Sequence, residues 1–231
     1  MPRATNKTEL IAATTDNKNN KKTARIAGTW YLADILILMF SYLFVDDKLL
    51  VSGDAAASLS NIKADKPLFY IGCAAFFIGY ICIAMSALML MKLFKPIDSK
   101  QATFIPVLLI IGVIIVFTGK AIEIYGAVTQ NVDLLALREN IDMSAEIFWG
   151  LWLLPIGLLI FKSDLIPKII GILLIVTCVV HFMDFTIFFF TPNTPEMVMS
   201  IAYIIGMFGE FGLVLWLLIK GVKTAKHNGP L

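Results

Sequence analysis

Six apolar runs, each close to the roughly 20 residues that a helix needs to cross a bilayer, alternate with short polar connections along the chain. They fall at about residues 26–45, 67–91, 102–128, 141–161, 168–190 and 197–219. The second run carries no charge in 25 positions and opens on Pro67, which suits a first helical turn. Between the first two runs lies a polar loop in which Asp54 is placed to cap a short amphipathic helix, DAAASLSNIKAD. Pro155 inside the fourth run predicts a kink that frees the carbonyl of Leu151, and the TPNTP segment at 191–195 breaks the chain before the sixth run. The pattern therefore predicts an all-α polytopic membrane protein, a bundle of six transmembrane helices with a short amphipathic helix in the first outer loop. Residues 1–25 are expected as a disordered cytoplasmic tail, 26–221 as the membrane domain and 222–231 as a second cytoplasmic tail.

Composition agrees with a membrane domain. Hydrophobic residues make up 58% of the chain, above the roughly 45–50% of soluble domains, and the mean hydropathy is +0.83. The net charge of +2 hides a segregation by side. The N-terminal tail, the second and fourth connections and the C-terminal tail hold 14 of the 19 Lys and Arg residues. By the positive-inside rule both termini are cytoplasmic, a parity that six crossings satisfy. Such a distribution points to a lipid bilayer and not to nucleic acid. The first run is too long, and lacks the cleavage site, for a secretory signal. Cys73, Cys82 and Cys178 all lie in apolar runs and read as small core residues.

Chemistry, if there is any, resides in the charges that interrupt the runs. Thr177, Cys178, His181 and Asp184 follow three- and four-residue steps and form one polar stripe on an oily helix. An acid near the centre of a span costs about 2.5–3.5 kcal/mol on insertion scales, so the stripe is expected to face other helices. A rise of about 1.5 Å per residue puts His181 and Asp184 roughly 10–15 Å below the outer face, Lys120 and Glu123 about 7–12 Å deep, and Glu146 shallower. Asp34 and Glu210 lie about 17–20 Å deep and are expected to form the floor of the same cavity. Ala27, Trp30, Tyr31, Leu38 and Ser41 share the face of Asp34, while Ala202 and Gly206 form a ridge of small residues beside Glu210. Each group also has a structural reading. Asp34 and Glu210 then act as interhelical hydrogen-bonding acids, Lys120 and Glu123 as a self-neutralising pair, and His181 and Asp184 as a satisfied pair instead of a proton relay. No metal site is expected, because His227 in the C-terminal tail is the only other histidine. HExxH, Gly-x-Ser-x-Gly and phosphate-loop patterns are absent, no cofactor is implied, and Trp149 and Trp152 read as packing or interface anchors.

Several stretches, taken in order, resemble a bacterial integral-membrane family catalogued as domain of unknown function 4386. They are Ala-Arg-Ile-Ala-Gly ahead of Tyr31, Gly53-Asp-Ala-Ala-Ala57, Phe148-Trp-Gly-Leu-Trp-Leu-Leu-Pro155, Leu165-Ile-Pro-Lys-Ile-Ile-Gly171, Asp184, and Gly209-Glu210 leading to Leu215-Trp-Leu-Leu-Ile-Lys-Gly221. The resemblance implies a six-helix domain in the bacterial cytoplasmic (inner) membrane and carries no catalytic residues with it. Three classes of function remain open. They are binding or proton-coupled transport of a small molecule, an intramembrane enzyme acting on a lipid or other apolar substrate, and a non-catalytic assembly or sensory subunit. The oligomeric state is open as well.

Overall fold

No water reaches the hydrocarbon to satisfy backbone N–H and C=O groups, so a spanning chain must close its hydrogen bonds within helices. In the computed structural model, which describes residues 7–191 and 196–223, with side chains for 17–191, 204 and 207–223, every apolar run is helical. Helix α1 spans Lys7–Met39 and continues through a π-helical turn, Phe40–Asp46, into the short α2, Asp47–Leu49. There follow α3 (Ala55–Ala64), α4 (Lys66–Phe94), α5 (Ser99–Thr129), α6 (Val132–Ser144), α7 (Glu146–Leu151), α8 (Leu153–Lys162), α9 (Lys168–Phe190) and α10 (Glu196–Ile219). Asp54, Asp65 and Asp98 cap α3, α4 and α5 by accepting from the N–H groups of Ala57, Leu68 and Gln101 at 2.9–3.2 Å.

Among the described residues five stretches are long and apolar enough to cross a membrane: Asn17–Leu49, Lys66–Phe94, Ser99–Thr129, Val132–Lys162 and Lys168–Phe190. The sixth expected span falls on α10, which is 24 residues long and has Met207–Ile219 as its described apolar part. The side chains of Ala202 and Gly206, the expected ridge beside Glu210, lie outside the described residues.

Two expectations are corrected. Residues 7–25 continue α1 instead of forming an unstructured tail. No Gly or Pro interrupts them, and extending an existing helix needs no new nucleus. The fourth run begins earlier than 141, at Val132, and besides the expected break ahead of Pro155, seen as a turn at Trp152, it has a second turn at Ala145. The turn at Trp152 precedes Pro155, whose missing N–H and bulky ring disrupt the bond to the Leu151 carbonyl.

Helices close a ring in chain order. Helix α1 packs against α4 and α10, α4 against α5, α5 against α7 and α8, α8 against α9, and α9 against α10. Their outer faces leave Ile71, Ile78 and Ile81 of α4 and Phe104, Val107, Ile110 and Ile114 of α5 exposed, an apolar belt suited to lipid. On one end of the ring, Lys162 meets Asp98 at 2.7 Å and the Lys223 N–H donates to the Leu165 carbonyl at 2.8 Å. Leu90, Phe94, Ile105, Ile156, Leu159 and Ile160 fill the interior toward this basic end, each fully buried. At the opposite, loop end, Ser52 donates to Glu139 at 2.8 Å and Lys63 to Gln130 at 3.0 Å, which ties the first polar loop to α6 and its lead-in.

A polar cavity inside the ring

The ring does not fill with side chains toward the loop end. There it holds a half-open cavity of about 360 Å³ whose wall takes residues from α1, the π turn, α4, α5, α6, α7 and α9, the turn at Trp152, and α10. That size lies at the lower end of the roughly 300–1,000 Å³ typical of ligand pockets. Tyr31 donates a short hydrogen bond to Oε2 of Glu210. Nδ1 of His181 lies 2.7 Å from Oε2 of Glu146, and the hydroxyls of Tyr42 and Tyr80 are 2.9 Å apart. Trp149 stacks on Tyr80 at 5.3 Å, and Trp152 leans on Tyr31 at 5.6 Å. Asp34 is 6% exposed, and its Oδ1 has no hydrogen-bond partner among the described residues.

Two glycines make this geometry attainable. A Cβ on Gly150 would lie 2.8 Å from the Cys178 carbonyl oxygen and 3.1 Å from the His181 Cβ, so only Gly lets α7 come close enough to α9 to set Glu146 against His181. At Gly209 a Cβ would meet Thr177 Oγ1 at 2.7 Å, and that close approach of α10 to α9 delivers Glu210 to the cavity.

Nearer the loop end lies a buried network of charges. Nζ of Lys120 is 2.9 Å from Glu123 and 3.7 Å from Asp46, and sits 4.7 Å above the Phe76 ring. The Arg138 guanidinium reaches Glu123 at 2.9 Å, Asp142 at 2.7 Å and Asp46 at 3.3 Å. Its Nε is close to two carboxylates without being aligned on either, so the attraction there is mainly Coulombic. Two cations thus serve three carboxylates, and they join the π turn, α5 and α6. Outside this network an acidic cleft of about 520 Å³ runs under the 50–55 loop and shares Tyr42, Asp142 and Met143 with the inner cavity.

Of the residues singled out in the sequence, Asp34, Glu146, His181 and Glu210 line the cavity. Lys120 and Glu123 belong to the charge network instead, because Arg138 draws Glu123 away from the cavity and toward α6. Asp184 is buried on α9 about one turn beyond His181 and does not line the cavity. Tyr31 and Ala27 of α1 and Ser41 of the π turn are buried with Asp34, whereas Trp30 is 37% exposed and turned out of the expected face. Tyr42, Tyr80, Asp46, Arg138 and Asp142 escape the sequence reading. For α6 a signal was present: Asn131 as a cap, followed by Arg138 and Asp142 at helical i,i+4 spacing. Among the described residues no three His, Cys, Asp or Glu side chains are arranged to hold a metal ion.

A family model described as Domain of unknown function (DUF4386) matches residues 26–221. A protein of Archaeoglobus fulgidus, named as an uncharacterized protein, is 29% identical over 164 residues, which cover 70% of this chain and 90% of that protein. Similarity to this chain is therefore not confined to bacteria. No solved structure matches.

Proposed function

The chain belongs to the family described as Domain of unknown function (DUF4386), and from its cavity we propose that this multi-pass membrane protein binds a small polar or amphiphilic solute and couples it to proton movement. The observation that carries this reading is Asp34, an acid buried in the ring and without a hydrogen-bond partner on Oδ1 among the described residues, in a cavity shared with Glu210, Glu146 and His181. A helix bundle that used its acids only for packing would pair them. Carboxyl groups and an imidazole gathered in one cavity are groups that can take up and pass on a proton. The shared wall of Tyr42, Asp142 and Met143 offers a route from the acidic cleft, while the core at the basic end closes the other side.

The membrane arrangement in this reading has six crossings with α10 as the last, both termini in the cytoplasm of a prokaryotic cell, and α3 lying as an amphipathic helix at the outer surface. The charge segregation supports it. In intact cells a Ser60→Cys variant on a cysteine-free background then reacts with an impermeant thiol reagent and a Lys100→Cys variant does not. The reverse pattern inverts the topology.

The functional test uses liposomes loaded with a pH-sensitive dye and a panel of cationic, anionic and neutral solutes. At least one solute is expected to evoke proton movement that Asp34→Asn, Glu210→Gln or His181→Ala reduces at least tenfold. Failure of every solute class to move protons or to bind overturns the reading.

A further inference from the structure

The inner cavity has a charge balance that narrows the solute class. Asp34 shares the cavity wall with Glu210 from α10, Tyr80 from α4 and Tyr31 on its own helix, and interacts electrostatically with Glu210, Tyr31, Tyr80 and Cys82; among the described residues no ion pair to Asp34 is seen. Glu210 is hydrogen-bonded to a neutral phenol. Glu146 already has His181, and Asp142 already has Arg138. Glu210 also lies within electrostatic reach of His181, whose imidazole is already paired with Glu146, so among the described residues Asp34 is the carboxyl group left without a cationic partner, in a space a ligand can occupy. Tyr31, Tyr80, Trp149 and Trp152 line that space, and aromatic rings attract a cation through their quadrupoles. The acidic cleft at its entrance sets Asp46, Asp47, Asp54, Glu123, Glu139 and Asp142 against Arg138, a field that raises the local concentration of cations.

Resting on the reading of the cavity as a solute site, we infer that its ligand is a small organic cation, an amine or quaternary ammonium, held by Asp34 and Glu210 within an aromatic box. An anion is disfavoured by both carboxyl groups, and a neutral solute leaves Asp34 without a counter-charge. A bare metal ion is disfavoured because no three ligating side chains converge among the described residues. The unpartnered Oδ1 of Asp34, more than nine-tenths buried, is what separates this from a mere collection of acids. Proton and ligand then compete for the same pair of carboxyl groups. A proton on either carboxyl removes the charge that holds the cation, so the two exclude one another at this pair. Binding strengthens as pH rises.

The test is equilibrium binding to the full chain in nanodiscs, read by isothermal titration. The cations are tetramethylammonium, choline and benzyltrimethylammonium. The choline isosteres 3,3-dimethylbutan-1-ol, which is neutral, and 3,3-dimethylbutanoate, which is an anion, complete the set. At least one cation is expected to bind at least tenfold more tightly than both isosteres and to weaken on going from pH 8 to pH 6. Asp34→Asn, a near-isosteric change, is expected to weaken it at least tenfold at an unchanged melting temperature. Trp149→Leu weakens the quaternary cations while Trp149→Phe largely restores them. Tighter binding of the neutral or anionic isostere, dependent on Asp34, overturns the cation assignment and leaves the solute-site reading standing. No binding by any of the five probes overturns the cation assignment, and the proton-flux panel then decides the broader reading separately.

Discussion

Replacing Arg138 by Met removes the guanidinium that meets Asp46, Glu123 and Asp142 at 3.3, 2.9 and 2.7 Å. Lys120 is then the one cation left in that network for three carboxylates, and it stays with Glu123, 2.9 Å away. Asp142 is stranded, with Gly119 packed so close to it that a Cβ there would meet Oδ1. Removing one partner of a buried ion pair costs about 3–5 kcal/mol, because the other charge is left uncompensated. The Arg138 side chain is 16% exposed and Lys120 still covers Glu123, so the lower end applies, about 3 kcal/mol. Three ordinary interhelical hydrogen bonds would total less, at about 0.6 kcal/mol each. Arg138→Lys keeps the charge but loses the fork that bridges three acids, and should cost about half as much. The assay is reversible unfolding in mixed micelles followed by tryptophan fluorescence, with Asp142→Asn as the second arm of a double-mutant cycle. That neutral background should recover at least about 1 kcal/mol of the loss. A destabilisation below about 1 kcal/mol for Arg138→Met, with no coupling to residue 142, refutes the idea that this network clamps α6 to the bundle.

Two further changes probe separate features. Gly150→Ala forces a Cβ against the Cys178 carbonyl, which cannot rotate away, and is expected to destabilise by about 1–3 kcal/mol. It should also shift the imidazole resonances of His181 as α7 moves off α9, and unchanged resonances contradict the close-approach role of this glycine. At the basic end, the Gln101 N–H and then Lys162 hold the Asp98 carboxyl below its usual range. A depressed folded-state pKa means that the stabilisation is present above the ordinary value of about 3.9 and is lost as pH falls through the lower folded one. The stability difference between the wild type and Asp98→Asn should therefore hold at pH 6 and shrink below about pH 4; a difference that grows on acidification contradicts it.

The spans were legible because helices in lipid must be apolar over a fixed length, and Asp34, Glu146, His181 and Glu210 stood out because so few charged or titratable groups interrupt those runs. Their convergence on one cavity followed from helical rise alone for Asp34 and Glu210, which line it together. Arg138 and Asp142 were hidden for the opposite reason. Arg138 sits in a polar stretch that composition alone reads as a connection and Asp142 at the very entry of the fourth run, and only tertiary packing of α6 against α5 makes them interior. Tyr42 and Tyr80 carried no signal either, since one tyrosine in an apolar run looks like any other interfacial aromatic. Asp184 shows the limit of helical spacing. It shares the stripe with His181, yet one turn further along α9 it has already left the cavity wall.

Solvent access to the interior of the ring is the most direct measurement of all. Leu38 and Val116 line the cavity, whereas Ile156 lies in the fully buried core toward the basic end. On a cysteine-free background, Leu38→Cys and Val116→Cys should react with a membrane-impermeant cationic methanethiosulfonate added from the loop side. Ile156→Cys should stay unmodified, and Asp34→Asn should slow the reaction at residue 38. Cysteines at 38 and 116 as inert as the one at 156 would contradict an aqueous polar cavity inside the helix ring.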